Sequence, residues 1–274
     1  MANQLSSIDT DCDSDPGVEQ IYSDQKLLEF FGEHLHRNGA VKVVKYVRRK
    51  QTGTVIFLHG SGGNGFEMRQ YLSLLRDHMD ITIGARHIRF LFPSAPVKEY
   101  TAIYGQKSRV WHDRQGIHIN LPEMKSSINE QAEVLKVFID NLVKAGTPIS
   151  SIVIGGFSMG GGMALHMAYR YFPQMAGCFA LSSFLHNDSM VYEDLAKAQH
   201  TSLPPLIAFH GDKDYTVPID WGQQMYNRLI SLGVKGEFHT VKNETHNLAH
   251  DEVDQLYTWF NKVLPRPKVE PPKT

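Results

Sequence analysis

Serine hydroxyls are weak nucleophiles at neutral pH and become reactive when an imidazole takes their proton. One segment of the chain sets up a serine for this. Ser151-Ile152-Val153-Ile154-Gly155 reads as a buried strand, and Gly156-Phe157-Ser158-Met159-Gly160-Gly161 follows at once. This is Gly-x-Ser-x-Gly between a strand and a helix, where the serine occupies a tight bend and side chains two places before or after it would clash. Glycine removes the clash and accepts unusual backbone angles. The helix starting at Met159 points its first amides toward the serine and favours negative charge developing there. A glycine-rich turn that only packs a helix against a sheet is the plainer alternative, but it leaves the downstream acid and imidazole unexplained.

At such a bend the partners follow the serine in the order acid, then histidine. Pro205-Leu206-Ile207-Ala208-Phe209-His210 is an apolar strand, and Gly211-Asp212-Lys213-Asp214 follows it. Two aspartates therefore share the loop where the acid belongs, and local sequence does not separate Asp212 from Asp214. Gly236–Val241 reads as the last strand, and Asn243-Glu244-Thr245-His246 comes after it. His246 is the candidate base. His250 is a rival further from the strand end, where the final helix opens. His210 sits in the strand or its first turn, a position suited to local packing and hydrogen bonding.

A negatively charged tetrahedral intermediate needs donors aimed at its oxygen. The strand Thr54–Leu58 runs into His59-Gly60-Ser61-Gly62-Gly63-Asn64-Gly65. In a sheet of this kind, the loop after an early strand supplies one amide and the residue after the nucleophile supplies the other. The candidates are the backbone N–H groups of Ser61 and Met159; losing one such donor typically costs about 3 kcal/mol of transition-state stabilisation. The same loop matches the G-x-G-x-x-G dinucleotide fingerprint. Against that use, the next strand, Ile88–Phe92, ends in Pro93-Ser94-Ala95 with no acid to hold a ribose. No metal-ligand spacing stands out, and His34 with His36 reads as a solvated helix end. Within Val110-Trp111-His112-Asp113-Arg114, Trp111 is suited either to lining a substrate site or to capping the core.

The elements that must position these groups alternate along the chain. Strands are expected at Val41–Val47, Thr54–Leu58, Ile88–Phe92, Ser151–Gly155, Gly177–Leu181, Pro205–His210 and Lys235–Val241. Helices are expected at Glu67–Met79, Ser126–Ala145, Met159–Tyr171, Ile219–Leu232 and Asp251–Leu264. Continuous apolar runs such as Val55-Ile56-Phe57-Leu58 suit strands covered on both faces. In the long helix, Val134, Leu135, Phe138, Ile139 and Leu142 follow helical spacing. The pattern implies a mostly parallel central sheet with helices on both faces, a first strand paired antiparallel at the edge, and reactive residues at strand C-termini. Joined to the Gly-x-Ser-x-Gly bend between strand and helix, it leads us to expect an α/β-hydrolase fold.

Residues 1–20 are polar and acidic and read as a disordered leader; 21–264 form one domain, and 265–274, rich in Pro and Lys, a flexible tail. The net charge of −1 gives no electrostatic reason to expect nucleic acid as a partner. No run approaches the length of a spanning helix and no secretory signal is evident. Cys12 and Cys178 are not expected to pair, which suits a reducing, cytoplasmic setting.

From about Thr54 to Pro265 the chain resembles the acyl-protein thioesterase and lysophospholipase family of serine hydrolases. The resemblance rests on Phe57-Leu58-His59-Gly60-Ser61-Gly62, on Trp111 with Asp113, on Gly155–Gly161, on His210-Gly211-Asp212-Lys213-Asp214 and on the segment around His246. Gly155–Arg170 and Phe179–Leu185 look closest to its lysophospholipase-like branch. The resemblance puts the acid on Asp214, the base on His246, and the oxyanion amides on Ser61 and Met159. It implies no cofactor, acyl groups on protein cysteines or small esters as substrates, and Trp111 near the acyl site. Gly63 stands where the family usually has aspartate, and His112 where phenylalanine is common.

Overall fold

The structure, a computed structural model, describes residues 43–46, 51–76, 84–197 and 202–266. The expected leader, all but the first two residues of the tail, His34, His36 and Cys12 lie outside the described residues, as do the ends of the expected first strand and of the first helix. Strand β1 is Val43–Tyr46, β2 Gly53–Leu58, β3 Ile88–Pro93, β6 Ile152–Phe157, β7 Gly177–Leu181, β8 Leu206–Gly211 and β9 Gly236–Val241. They form one seven-stranded sheet in the order β1-β3-β2-β6-β7-β8-β9. The β1–β3 pair is antiparallel and every other pair is parallel, as the apolar runs and their helical connections require.

Alternation along the strands builds two cores. Ile56, Leu58, Ile154, Ala180 and Ala208 face one side, with helices α2 (Lys125–Lys144), α3 (Met159–His166), α4 (Met190–Lys197) and α5 (Ile219–Ser231) over them. Val55, Phe57, Val153, Phe179 and Phe209 face the other, beneath α1 (Gly65–Leu75) and α6 (His250–Val263). Helix α2 buries Ile128, Ala132, Leu135, Phe138, Ile139 and Leu142. Val134, expected on that stripe, is only half-buried.

Helix ends follow local chemistry. The α1 helix starts two residues before the expected Glu67 because the Asn64 side chain accepts from the Glu67 amide at 2.9 Å. At the start of α6 the Glu252 carboxylate accepts from the Ala249 amide at 3.1 Å. Burial pushes that carboxyl up to about 8; the Ala249 bond opposes the shift and the Glu244 charge adds to it. The helix after β6 changes character at Met167–Tyr171, where a π turn replaces regular α-helix. A second, two-stranded sheet pairs β4 (Val97–Tyr100) with β5 (Gln106–Arg109). This hairpin and α4 were not foreseen.

Candidate active site

At the end of β6 the chain turns through Ser158 with φ 53° and ψ −123°. A side chain in the positive-φ region is strained and persists only where its surroundings fix it. Here they do. The Ser158 amide donates to the Leu181 carbonyl at 2.8 Å, and the Ser158 carbonyl accepts from the Ser183 hydroxyl at 2.8 Å and the Gly161 amide at 3.0 Å. A Cβ on Gly156 or on Gly160 would stand 2.3 Å from the Leu58 carbonyl oxygen. Both glycines are therefore required for α3 to pass this close to the end of β2.

The Ser158 hydroxyl lies 3.0 Å from His246 Nε2, and His246 Nδ1 lies 2.6 Å from Asp214 Oδ2. A carboxylate only accepts, so Nδ1 carries the proton and Nε2 presents a lone pair to the hydroxyl. The other carboxylate oxygen accepts from the Thr216 and Val217 amides at 2.9 and 2.8 Å. Burial alone would raise the Asp214 carboxyl. The hydrogen bonds from His210, His246 and Val217 outweigh it and hold the group well below the usual carboxylate range. The His246 ring packs on Phe157, with centroids 4.8 Å apart. Ser158, Asp214 and His246 thus converge from the C-terminal ends of β6, β8 and β9.

The rivals stand elsewhere. Asp212 is exposed and accepts from the Asn243 amide. His210 is buried, donates to the Val217 carbonyl at 2.7 Å, and lies 3.5 Å from Asp214 Oδ2. His250 opens α6 beside the carboxylates of Asp251 and Asp254.

The loop after β2 lies against the same bend. The Ser61 hydroxyl donates to the Met159 sulfur at 3.7 Å. Neither the Ser61 nor the Met159 amide has an acceptor among the described residues, so both remain available to a substrate oxygen. Behind them His59 is locked: its Nδ1 donates to the Gly60 carbonyl at 2.7 Å and its Nε2 accepts from the Ala95 amide at 2.9 Å. Burial lowers the ring to about 4, so it stays neutral at physiological pH. Trp111 is also a brace. Its indole N–H donates to the His59 carbonyl at 2.8 Å, and the side chain is wholly buried. Trp111, which the family resemblance puts near the acyl site, supports this loop from behind and is not among the residues lining the cavity beside Ser158.

That cavity is small, about 20 Å³, and its wall mixes polar and apolar side chains. Ser158, Met159 and Gly162 form one side, and polar His112, Arg114, Glu123, His166 and His186 share the rest with apolar Ile128, Phe184 and Leu185. Glu123 accepts from His166 Nε2 at 3.1 Å and from the Met190 amide at 2.8 Å. Burial would raise this carboxyl, but the His166 bond and the amide bring it down to about 2. Arg170 donates to His166 Nδ1 at 3.2 Å and pairs with Asp194 at 2.9 Å, leaving His166 Nε2 as the donor to Glu123. Burial takes His112 down to about 3 and keeps it uncharged. Glu123, His166 and His186 carry no local sequence signal. Arg114 had a faint one, as the charge beside Trp111.

Comparison with known proteins agrees with this architecture. Residues 40–264 match the model of the phospholipase/carboxylesterase family. Lysophospholipase-like protein 1 of Mus musculus is 41% identical over 216 residues, covering 79% of this chain and 89% of the relative. Acyl-protein thioesterase 1 homolog 1 of Dictyostelium discoideum is 30% identical over 227 residues, covering 81% and 96%. The crystal structure of Zea mays acyl-protein thioesterase 2 superposes with a TM-score of 0.69 at 23% identity, covering 82% of this chain and 99% of that one. The Bacillus cereus carboxylesterase superposes at 0.62 with 18% identity, covering 84% and 98%. The chain belongs to the phospholipase/carboxylesterase family and is a serine hydrolase of the α/β-hydrolase fold. Among the described residues no helix is long and apolar enough to cross a membrane.

Proposed function

We propose that the chain takes acyl groups from thioesters and esters through an acyl-enzyme, with S-acylated proteins among its substrates. Ser158 attacks the acyl carbonyl while His246 Nε2 receives the hydroxyl proton. Asp214 orients the imidazole and stabilises its charged form, and the Ser61 and Met159 amides hold the oxyanion. His246 then gives the proton to the leaving thiolate or alkoxide. A water, deprotonated by His246, attacks the acyl-serine, and the acid leaves as Ser158 recovers its proton. The observation that carries this reading is the unbroken Ser158–His246–Asp214 chain, at 3.0 and 2.6 Å, on a strained bend. The thioesterases among the relatives support thioesters as substrates. A cytoplasmic setting fits the buried free thiol of Cys178.

One observation favours a second reading, a carboxylesterase for short acyl chains. The cavity beside Ser158 is small, and a long hydrocarbon would require it to widen far more than a short acyl chain would. A fluorophosphonate should label Ser158, and a chain-length series of p-nitrophenyl esters run beside a palmitoylated peptide separates the substrates. Rates that fall steadily beyond short chains while the peptide stays intact would assign the carboxylesterase role. Absence of labelling would refute both.

A further inference from the structure

Arg114 carries a full positive charge, yet its residue is only 4% exposed. A buried guanidinium is costly unless carboxylates or several acceptors surround it. Here Nε donates to the Tyr100 hydroxyl and Nη2 to the Ser61 hydroxyl at 3.1 Å. Among the described residues no carboxylate forms an ion pair with it, and Nη1 has no acceptor. The adjacent Asp113 is turned away, its carboxylate taken up by the Thr101 amide and hydroxyl and by the Arg114 amide. Glu123, across the cavity, has both oxygens filled by His166 and Met190.

Arg114 lines the space next to Ser158, and His186 lines it too. His186 Nδ1 is buried with no hydrogen-bond partner among the described residues. Two polar side chains with unfilled hydrogen-bonding capacity therefore face one small cavity beside the nucleophile. An alkyl chain placed there would leave both unsatisfied, and an unsatisfied buried donor is penalised more than a formed bond is rewarded. A carboxylate satisfies a guanidinium best, by charge and by geometry. The room present is little more than a water needs, so the cavity must widen to admit any acyl chain, and a short one asks the least of it.

We propose that the cavity binds short acyl groups ending in a carboxylate, the monoacyl residues of dicarboxylic acids, with Arg114 as the residue that selects them. This specificity rests on the serine-hydrolase reading above. The acyl carbonyl lies between Ser158 and the two amides, and its chain points along the cavity so that the distal carboxylate meets Nη1 of Arg114. His112 and His186, held neutral by burial, add hydrogen-bonding capacity without competing charge.

The test compares glutaryl with pentanoyl, and succinyl with butyryl, as N-acetylcysteamine thioesters with release of the thiol followed. Each pair matches in chain length and differs in the terminal group. The wild-type enzyme should favour the carboxylate member in kcat/KM by about ten- to a hundredfold, the worth of one charge-assisted hydrogen bond. Arg114→Met should bring the ratio to one or below, and Arg114→Lys should retain part of it. Both members of a pair use the same oxyanion amides, so any slackening of the Ser61 loop in these variants cancels in the ratio. Equal or better turnover of the neutral thioesters by the wild type would overturn the proposal, even if Arg114→Met failed to fold. A ratio unchanged by Arg114→Met would do the same, leaving Arg114 as a prop for Ser61. Fluorophosphonate labelling of Ser158 keeps the two readings apart. Labelling without carboxylate preference sinks the specificity alone, whereas no labelling sinks the hydrolase reading and the specificity with it.

Discussion

The Trp111 indole nitrogen sits 2.8 Å from the His59 carbonyl, and through that bond the core holds the backbone just before Ser61. Removing the donor leaves a buried carbonyl unsatisfied, so Trp111→Phe should lower stability by about 1–3 kcal/mol. It should also reduce kcat more than it raises KM, since the Ser61 amide matters most when the oxyanion forms. Denaturant unfolding beside steady-state kinetics on a p-nitrophenyl ester checks both; a change confined to KM would return Trp111 to a substrate-contact role.

Ser158→Ala removes the proposed nucleophile. Where serine and histidine act as a unit, kcat falls by about a millionfold. Near-normal turnover by the purified variant would dismiss the assignment.

The two aspartates of the β8–β9 region can be told apart. Asp214→Asn should lose about 10⁴-fold in kcat, because an amide facing His246 Nδ1 favours the wrong tautomer. Asp212→Asn touches only the exposed Asn243 amide contact and should stay within a fewfold of wild type. The opposite ranking would mean that the acid is Asp212.

Gly160→Ala should not be tolerated. Its methyl would meet the Leu58 and His59 carbonyl oxygens at 2.3 and 2.6 Å, and neither strand backbone can yield without moving Ser61. A loss of about 1–3 kcal/mol or more is expected from overpacking, with activity falling further than stability. A variant that melts and turns over like wild type would contradict this packing.

Glu252 sets a pH dependence of stability. Its folded-state value, about 8, lies above the ordinary 4.5, so between these limits the folded chain holds a proton that the unfolded chain has released. Stability therefore declines as pH rises from about 4.5 to 8 through this group. Glu252→Gln removes the titration while keeping an acceptor for the Ala249 amide. The variant should gain on wild type by on the order of 1–3 kcal/mol between pH 5 and pH 8.5. Parallel stability profiles for the two proteins would rule this out.

The central strands were legible because each is a continuous apolar run bounded by turn residues. The proposed reactive positions were legible because each follows a strand. Ser158 and the two aspartates follow apolar runs, His246 follows the more polar Gly236–Val241, and only the family resemblance favoured Asp214 over Asp212. The β4–β5 hairpin was not. Val97-Lys98-Glu99-Tyr100 and Gln106-Lys107-Ser108-Arg109 are mostly polar and exposed, so no hydrophobic period marks them. The eight-residue α4 is too short for periodicity to stand out. The cavity residues were out of reach for a different reason. Arg114, Glu123, His166 and His186 meet only after the chain between the hairpin and α4 folds back on itself, and no spacing records that. Trp111 was singled out, but one residue type serves both to line a site and to brace one, and its indole bond to the His59 carbonyl is not written in the sequence.

The bend at Ser158 has an evolutionary consequence. With φ at 53°, a glycine there would relieve backbone strain worth about 1–3 kcal/mol, so folding alone would never select a hydroxyl at that position. Drift toward thermal robustness therefore pulls against the reaction at this one place. A glycine at this bend would make the chain somewhat sturdier and leave it inert, so the hydroxyl is held there at a cost to the fold.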